Sequence, residues 1–180
     1  MTSPQNKVYL RALEEEDIER TQRWHNDPEL YQTLVDGFRF VSRTAEREWI
    51  AKRTSYSSSE VSLAICLAPG DEHIGNIYLR PVNLTSRNAV LGILIGEKDH
   101  RRQGYGHQAL WQTLRHAFVD LGLERVYLEV VADNEQAIRL YERVGFKTEG
   151  RLRNHVFKEG KFRDVLVMGI LRAEFKTTEA

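Results

Sequence analysis

The stretch from Asn88 to Asp120 constrains this chain most. Ala89-Val90-Leu91-Gly92-Ile93-Leu94-Ile95-Gly96 is near-continuously apolar, as in a strand covered on both faces. Glu97-Lys98-Asp99-His100 breaks the run, and Arg101-Arg102-Gln103-Gly104-Tyr105-Gly106 follows. After it Ala109, Leu110, Leu114, Ala117, Phe118 and Leu121 recur at helical spacing. A strand, a glycine turn and a helix are therefore expected in that order, and the rest of the chain has to be arranged around them.

Such a turn suits an anion. The first amides of a helix have no intrahelical partner, and the macrodipole places partial positive charge on them. Glycines let the backbone come close, and Arg101 and Arg102 add mobile charge, which favours a pyrophosphate over a single carboxylate. Gly104-Tyr105-Gly106-His107-Gln108-Ala109 also reads as the dinucleotide pattern G-x-G-x-x-A. The context argues against that reading. In the dinucleotide fold the first glycine follows its strand almost directly, whereas six residues, Glu97 to Arg102, intervene here. The nearest acid of the following strand, Glu129, lies in mid-strand rather than at its end.

The spacing Arg101-x-x-Gly104-x-Gly106 after an apolar strand resembles the acyl-CoA-binding motif of the GNAT N-acetyltransferase superfamily. The later segment from Leu128 through Asn134 and Tyr141 to Gly145-Phe146 is similar to that superfamily's strand, asparagine, helix and tyrosine. With Arg11-Ala12-Leu13 and Trp24-His25-Asn26-Asp27-Pro28-Glu29, the likeness covers nearly the whole chain and leans towards the ribosomal-protein N-terminal, spermidine and amino-sugar acetyltransferases. The fold expected is one α/β (α+β) domain over residues 1–180, with a mixed sheet of six or seven strands and helices on both faces. The resemblance further implies a sheet splayed between the fourth and fifth strands.

Patterning predicts strands at Val8–Leu13, Val61–Leu67, His73–Leu79, Ala89–Gly96, Arg125–Val131, Phe146–Val156 and Phe162–Leu171. Pro81 is expected to end the third of these. Helices are expected from Glu14 to about Asn26, Pro28 to Val35, Thr44 to Thr54, after Gly106, and from Asn134 to Val144. An exposed loop is expected at Tyr56-Ser57-Ser58-Ser59-Glu60.

The resemblance also implies the chemistry. A pantetheine arm would bond as a pseudo-strand to backbone groups of Ile93, Leu94 and Ile95, while amides from Arg101 through Arg102, Gln103, Gly104 and Tyr105 to Gly106 hold the pyrophosphate of acetyl-CoA. An amide near Leu94 or Ile95 would polarise the thioester carbonyl, and Tyr141 would protonate the departing thiolate. Asn134 would cap its helix, contact the pantetheine, or both. Trp24, Asn26, Asp27, Tyr31, Asp36 and Glu46 are candidate contacts of a small-molecule or peptide primary amine, with packing and capping as the competing reading of each. Glu129, Glu97, Asp36 and His155 are weak candidates for the general base, beside removal of the proton through water. The alternative function is a non-catalytic acyl-CoA-binding or sensor domain.

Charge and composition narrow the partners. Lys and Arg number 26 against 26 Asp and Glu, so no global field draws the chain to nucleic acid or an acidic membrane. Six histidines without paired spacing give no support for a metal site, and none is expected. Cys66 is the single cysteine, in an apolar run, and is read as a buried hydrophobe. Met1 to Lys7 lack an apolar signal core, so a cytoplasmic location is expected, with a homodimer possible through exposed strand edges.

Overall fold

The computed structural model describes residues 7–55 and 57–177. The polar start before Lys7 and Tyr56 of the expected loop lie outside the described residues. Seven strands form one sheet: β1 (Val8–Ala12), β2 (Val61–Leu67), β3 (His73–Asn83), β4 (Asn88–Ile95), β5 (Arg125–Val131), β6 (Lys147–Lys158) and β7 (Lys161–Leu171). Their order across the sheet is β1-β2-β3-β4-β5-β7-β6. Every neighbouring pair is antiparallel except β4 and β5, which the central helix connects as a parallel crossover.

Among the described residues five α-helices flank the sheet: α1 (Ile18–His25), α2 (Pro28–Gln32), α3 (Arg43–Thr54), α4 (Tyr105–Arg115) and α5 (Glu135–Val144). Local chemistry sets their ends. Asp27 accepts from the amides of Glu29 and Leu30, and Pro28 occupies the first turn of α2, where a missing N–H costs nothing. Ser42 caps α3 through the amide of Ala45. Gly145 ends α5 at φ +113°, a left-handed conformation that glycine adopts without strain. The α4 helix continues through a wider π turn, His116–Asp120.

Three expectations change. Pro81 does not end β3; the strand runs on to Asn83 with a register shift between Leu79 and Val82, where a residue without an N–H is tolerated. The second helix stops at Gln32, three residues early, as Thr33 turns its hydroxyl back onto the carbonyl of Leu30. Glu15–Asp17 is a separate 3₁₀ turn ahead of α1, with the amide of its N-cap residue Glu14 donating to the carboxylate of Asp17.

Alternation along β4 explains its continuous apolar run. Ala89, Leu91, Ile93 and Ile95 face the main core with Leu110, Leu114 and Phe118 of the central helix. Leu94 faces the other side, against Trp24 and Leu30. Leu110, Leu114 and Phe118 are all but fully buried, each worth about 1.5–3 kcal/mol. Cys66 is buried in a smaller cluster with Leu13, Ile18 and Ile50, and burial pushes its thiol up to about 11. No helix among the described residues is long and apolar enough to cross a membrane.

Candidate active site

The parallel ladder between β4 and β5 has three rungs, Asn88 with Arg125, Ala89 with Val126 and Val90 with Tyr127, and then stops. Beyond it β4 remains paired to β3 as far as Ile95, and β5 to β7 as far as Val131. The sheet therefore opens between Leu91–Ile95 and Leu128–Val131, leaving backbone groups on both lips.

Only alternate residues of β4 serve that opening. The carbonyl of Leu94 points at β3, so close to Gly75 that a Cβ built there would stand 2.3 Å from it. Gly96 likewise donates to Ile74 of β3. Ile93 and Ile95 consequently turn their backbone groups towards the gap, and Leu94 drops out of the expected set of three because its polar backbone already belongs to the β3 ladder.

Arg101 also differs from expectation. Its Nε donates to Ile95 O at 3.0 Å and its Nη2 to Gly96 O at 2.9 Å, which caps the end of β4 and occupies the carbonyl of Ile95. It is a fixed clamp and not a mobile charge. Arg102 sits at φ +65° with its Nε 3.3 Å from Gln136 Oε1 of α5, and Gln103 donates to Asp99 O. Gly104 caps α4 at φ +85°. Among the described residues, the amides of Gly104, Tyr105 and Gly106 have no backbone acceptor, which leaves them free at the helix start. A Cβ on Gly106 would come 3.3 Å from Leu140 and 3.9 Å from Ile93, so this glycine lets the helix start, α5 and the lip of β4 meet. Tyr105 lies over this turn, with its hydroxyl 3.3 Å from Gln103 Oε1 and its ring beside His100.

Asn134 accepts from the amide of Ala137 at 3.2 Å, capping α5, and donates through Nδ2 to Thr33 O at 3.0 Å, tying that cap to the end of α2. Tyr141 lies in the main core at 8% exposure, edge-on to Phe146 with ring centroids 5.9 Å apart. Its hydroxyl is not among the buried polar atoms left without a partner. Burial alone pushes the phenol up to about 12, so it stays protonated throughout the physiological range.

The candidate amine contacts divide. Asn26 is a clamp for the loop after α2, exchanging bonds with both polar backbone atoms of Val41, and Asp27 is consumed by its cap. Trp24 lies flat against Gly96, where a Cβ would collide at 2.1 Å, and donates to Glu97. Glu97 is held by Arg23 as well, which removes it as a free base. Asp36 presents its backbone carbonyl to Lys158, whose ammonium also reaches Tyr31 O at 2.8 Å and ties the β6–β7 ribbon to α2. Tyr31 is half-buried, pushed up to about 12 by burial, then by the charges of Asp36 and Glu46. Glu46 is fully buried with Oε2 2.6 Å from His25 Nδ1. Glu129 and His155 meet at 3.9 Å, two candidate bases brought together from β5 and β6.

Several polar groups on this side were not singled out from sequence: His25, Arg53, Asn76, Tyr78 and Arg80. Two signals were present, Glu46, Trp49 and Arg53 at helical spacing and Asn76, Tyr78 and Arg80 at strand spacing, though which elements face each other is not written in either.

Known proteins share this fold. The family described as "Acetyltransferase (GNAT) domain" matches residues 7–147. The spermidine N(1)-acetyltransferase of Vibrio cholerae is 33% identical over 102 residues, 57% of this chain and 58% of that protein, so that alignment spans a little over half of the relative. The crystal structure of spermidine N-acetyltransferase from Vibrio cholerae in complex with CoA and spermine superposes with a TM-score of 0.86 at 27% identity, covering 93% of this chain and 97% of that one. A dodecameric structure of the Vibrio cholerae enzyme superposes with a TM-score of 0.79, also at 27% identity, over 93% of this chain and 95% of that one.

Proposed function

Because the chain belongs to the GNAT acetyltransferase family and is an acetyl-CoA-dependent N-acetyltransferase acting on an amine, we propose that acetyl-CoA enters the gap between β4 and β5 and is attacked from the side walled by α1, α2 and α3. The observation carrying this reading is the ladder that stops after Val90 beside a helix start with three unpartnered amides. Pantetheine amides bond to Ile93 and to the N–H of Ile95, and the pyrophosphate meets the amides of Gly104 to Gly106, with Arg102 and Gln103 lining the turn. Arg101 acts indirectly by holding the end of β4, and Asn134 by holding α5 to α2.

The chemistry follows from these positions. A neutral primary amine attacks the thioester carbon, the N–H of Ile95 stabilises the oxyanion, and the tetrahedral intermediate collapses with loss of the thiolate, which takes the proton of Tyr141. Glu129 and His155, or water, relieve the amine of its proton. Purified protein that releases CoA thiol from acetyl-CoA only when an amine is supplied supports this reading. Its melting temperature should rise with CoA and not with NADH or ATP. A larger shift with NADH returns the glycine turn to the dinucleotide reading.

The likeness to spermidine acetyltransferases favours a polyamine as a second reading of the acceptor. Self-association is proposed with it, supported by the exposed Phe157 and Phe162 at the tip of the β6–β7 ribbon, and light scattering tests it. A cytoplasmic location is proposed from the charge balance and the buried thiol.

A further inference from the structure

The antiparallel ribbon of β6 and β7 is irregular at one place. Leu152 pairs with Val165 and Val156 with Arg163, so Arg153, Asn154 and His155 of β6 all stand opposite Asp164 of β7. Such an insertion bends a strand and re-aims its side chains. Asp164 fixes it from both sides: one carboxylate oxygen accepts from the Asn154 amide at 2.8 Å and the other from Arg151 Nε at 2.6 Å. Asn154 takes the left-handed conformation, φ +50°, which asparagine tolerates better than most residues. The Asn154 amide, and then Arg151, hold the Asp164 carboxyl below its usual range, so the clamp stays charged at neutral pH.

The bulge delivers His155. β7 lies between β6 and β5, which sets β6 two strand spacings, about 9–10 Å, from β5. Across that distance His155 Nε2 comes to 3.9 Å from Glu129 Oε2. Leu128 and Val130 point into the main core, so Glu129 between them lies on the opposite face, that of Trp24, Leu30 and Leu94. The bulge also lies on the same row of the sheet as Ile95. Carrying the pairing of Val90 with Tyr127 onwards sets Ile95 level with Ala132, whose amide donates to Asp164 O at 2.9 Å. Both side chains are open to solvent, His155 at 44% and Glu129 at 38% exposure, and the bulge lines a hollow of about 540 Å³ with Arg151, Leu152, Arg153, Asn154 and His155. A separation of 3.9 Å is too long for a hydrogen bond, yet it lets one amine nitrogen bond to both groups.

Resting on the acetyltransferase reading above, we propose that His155 is the base that takes the amine's proton, that Glu129 holds the incoming nitrogen beside it, and that Asp164 is the positioning residue that keeps His155 in place. As the nitrogen lone pair forms the C–N bond, one N–H proton passes to His155 Nε2, and the C–S bond breaks with the thiolate taking the proton of Tyr141. His155 then returns its proton, and Tyr141 regains one, through solvent. Without Asp164 the bulge loses its ties to the Asn154 amide and to Arg151 together, and His155 is no longer aimed at Glu129.

The test is acetyl transfer by the purified full chain, with acetyl-CoA as donor and spermidine or hexylamine as acceptor. His155→Ala should lower kcat roughly 100-fold while KM for acetyl-CoA stays unchanged. Asp164→Ala should lower kcat roughly 10- to 100-fold, the effect of displacing a reacting group. The double variant should be no slower than His155→Ala, because Asp164 acts only through that side chain, whereas a merely structural role would add its own loss. Added imidazole should restore part of the rate to His155→Ala and to the double variant alike. Should Asp164→Ala fail to fold, Asp164→Asn takes its place, since it keeps an acceptor for the Asn154 amide. Full kcat in His155→Ala, or losses that add in the double variant, overturns the proposal while leaving the transferase reading intact. If neither amine turns over in the parent, NMR of the isotope-labelled histidines decides: the His155 Nε2 resonance should move in the Asp164 variant and in Glu129→Gln, and no movement in either overturns the proposal. Failure of CoA itself to bind overturns the reading beneath it instead.

Discussion

Replacing Tyr141 with Phe separates chemistry from packing because the two effects differ widely in size. The ring is buried and edge-on to Phe146, so the variant keeps those contacts. The hydroxyl is not among the buried polar atoms left without a partner, so its removal relieves no unmet group. Stability should therefore stay within about 0.5 kcal/mol of the parent, a melting shift of no more than roughly 2 °C for a chain of this size. Turnover should change far more. Loss of a positioned acid costs about 10²–10⁴ in rate, and a thiolate leaves readily, so about 10², or roughly 2.7 kcal/mol of transition-state stabilisation, is expected. Because burial holds the phenol up near 12, the parent's rate should show no fall on the alkaline side up to about pH 10 that is traceable to this group. The assay is single-turnover acetyl transfer with CoA affinity and melting temperature on the same preparation. Unchanged turnover with a lowered melting temperature would refute the reasoning and make Tyr141 a core residue only.

Gly104→Ala meets no atom within 4 Å, so its cost comes from φ +85° alone; it should weaken CoA binding several-fold in calorimetry with about 1 kcal/mol lost in urea unfolding. Gly96→Ala would thrust a Cβ to 2.1 Å from Trp24 and should cost more than 2 kcal/mol on the same urea scale. At Asp17, burial pushes the carboxyl up, but hydrogen bonds from Arg11, His73 and the Glu14 amide outweigh it and hold the group well below the usual range. Its folded value therefore lies below the unfolded one of about 3.9, so it stabilises the fold above pH 4 and that contribution drains away below it. Asp17→Asn should flatten this acid limb and cost about 3 kcal/mol at pH 7 in urea melts. Affinity for DNA or RNA at moderate salt should stay weak in anisotropy titrations, given equal numbers of basic and acidic residues.

What was legible in the residues was local. The bounds of β2 and β5 agree with the patterning because turns flank each run, and α5 ends where Gly145 stops it. The glycine turn opening a helix was legible for the same reason. Pro81 misled because a proline normally ends a strand, and only the bulge against β4 reveals that β3 passes through it. Arg101 misled because its acceptors are backbone carbonyls, which no side-chain motif records. Leu94 needed knowledge of which side β3 lies on. The packing of α3 on β3 brings Trp49 against Tyr78, about thirty positions away, and no local pattern in the sequence records that contact.

The short ladder between β4 and β5 gives the sheet an edge in its interior as well as at β1 and β6. An ordinary exposed edge invites another strand, and with it aggregation. This one is different, because a strand needs room for its side chains above and below the sheet, and those spaces are filled by the central helix and α5 on one face and by Trp24 and Leu30 on the other. A thin chain bearing amides but no side chains meets no such obstacle. On the proposed reading the gap would thus sort its guests by thickness, admitting a pantetheine-like arm and disfavouring a second strand, so the same unpaired groups that make the proposed site would be kept from gluing two copies of the protein together.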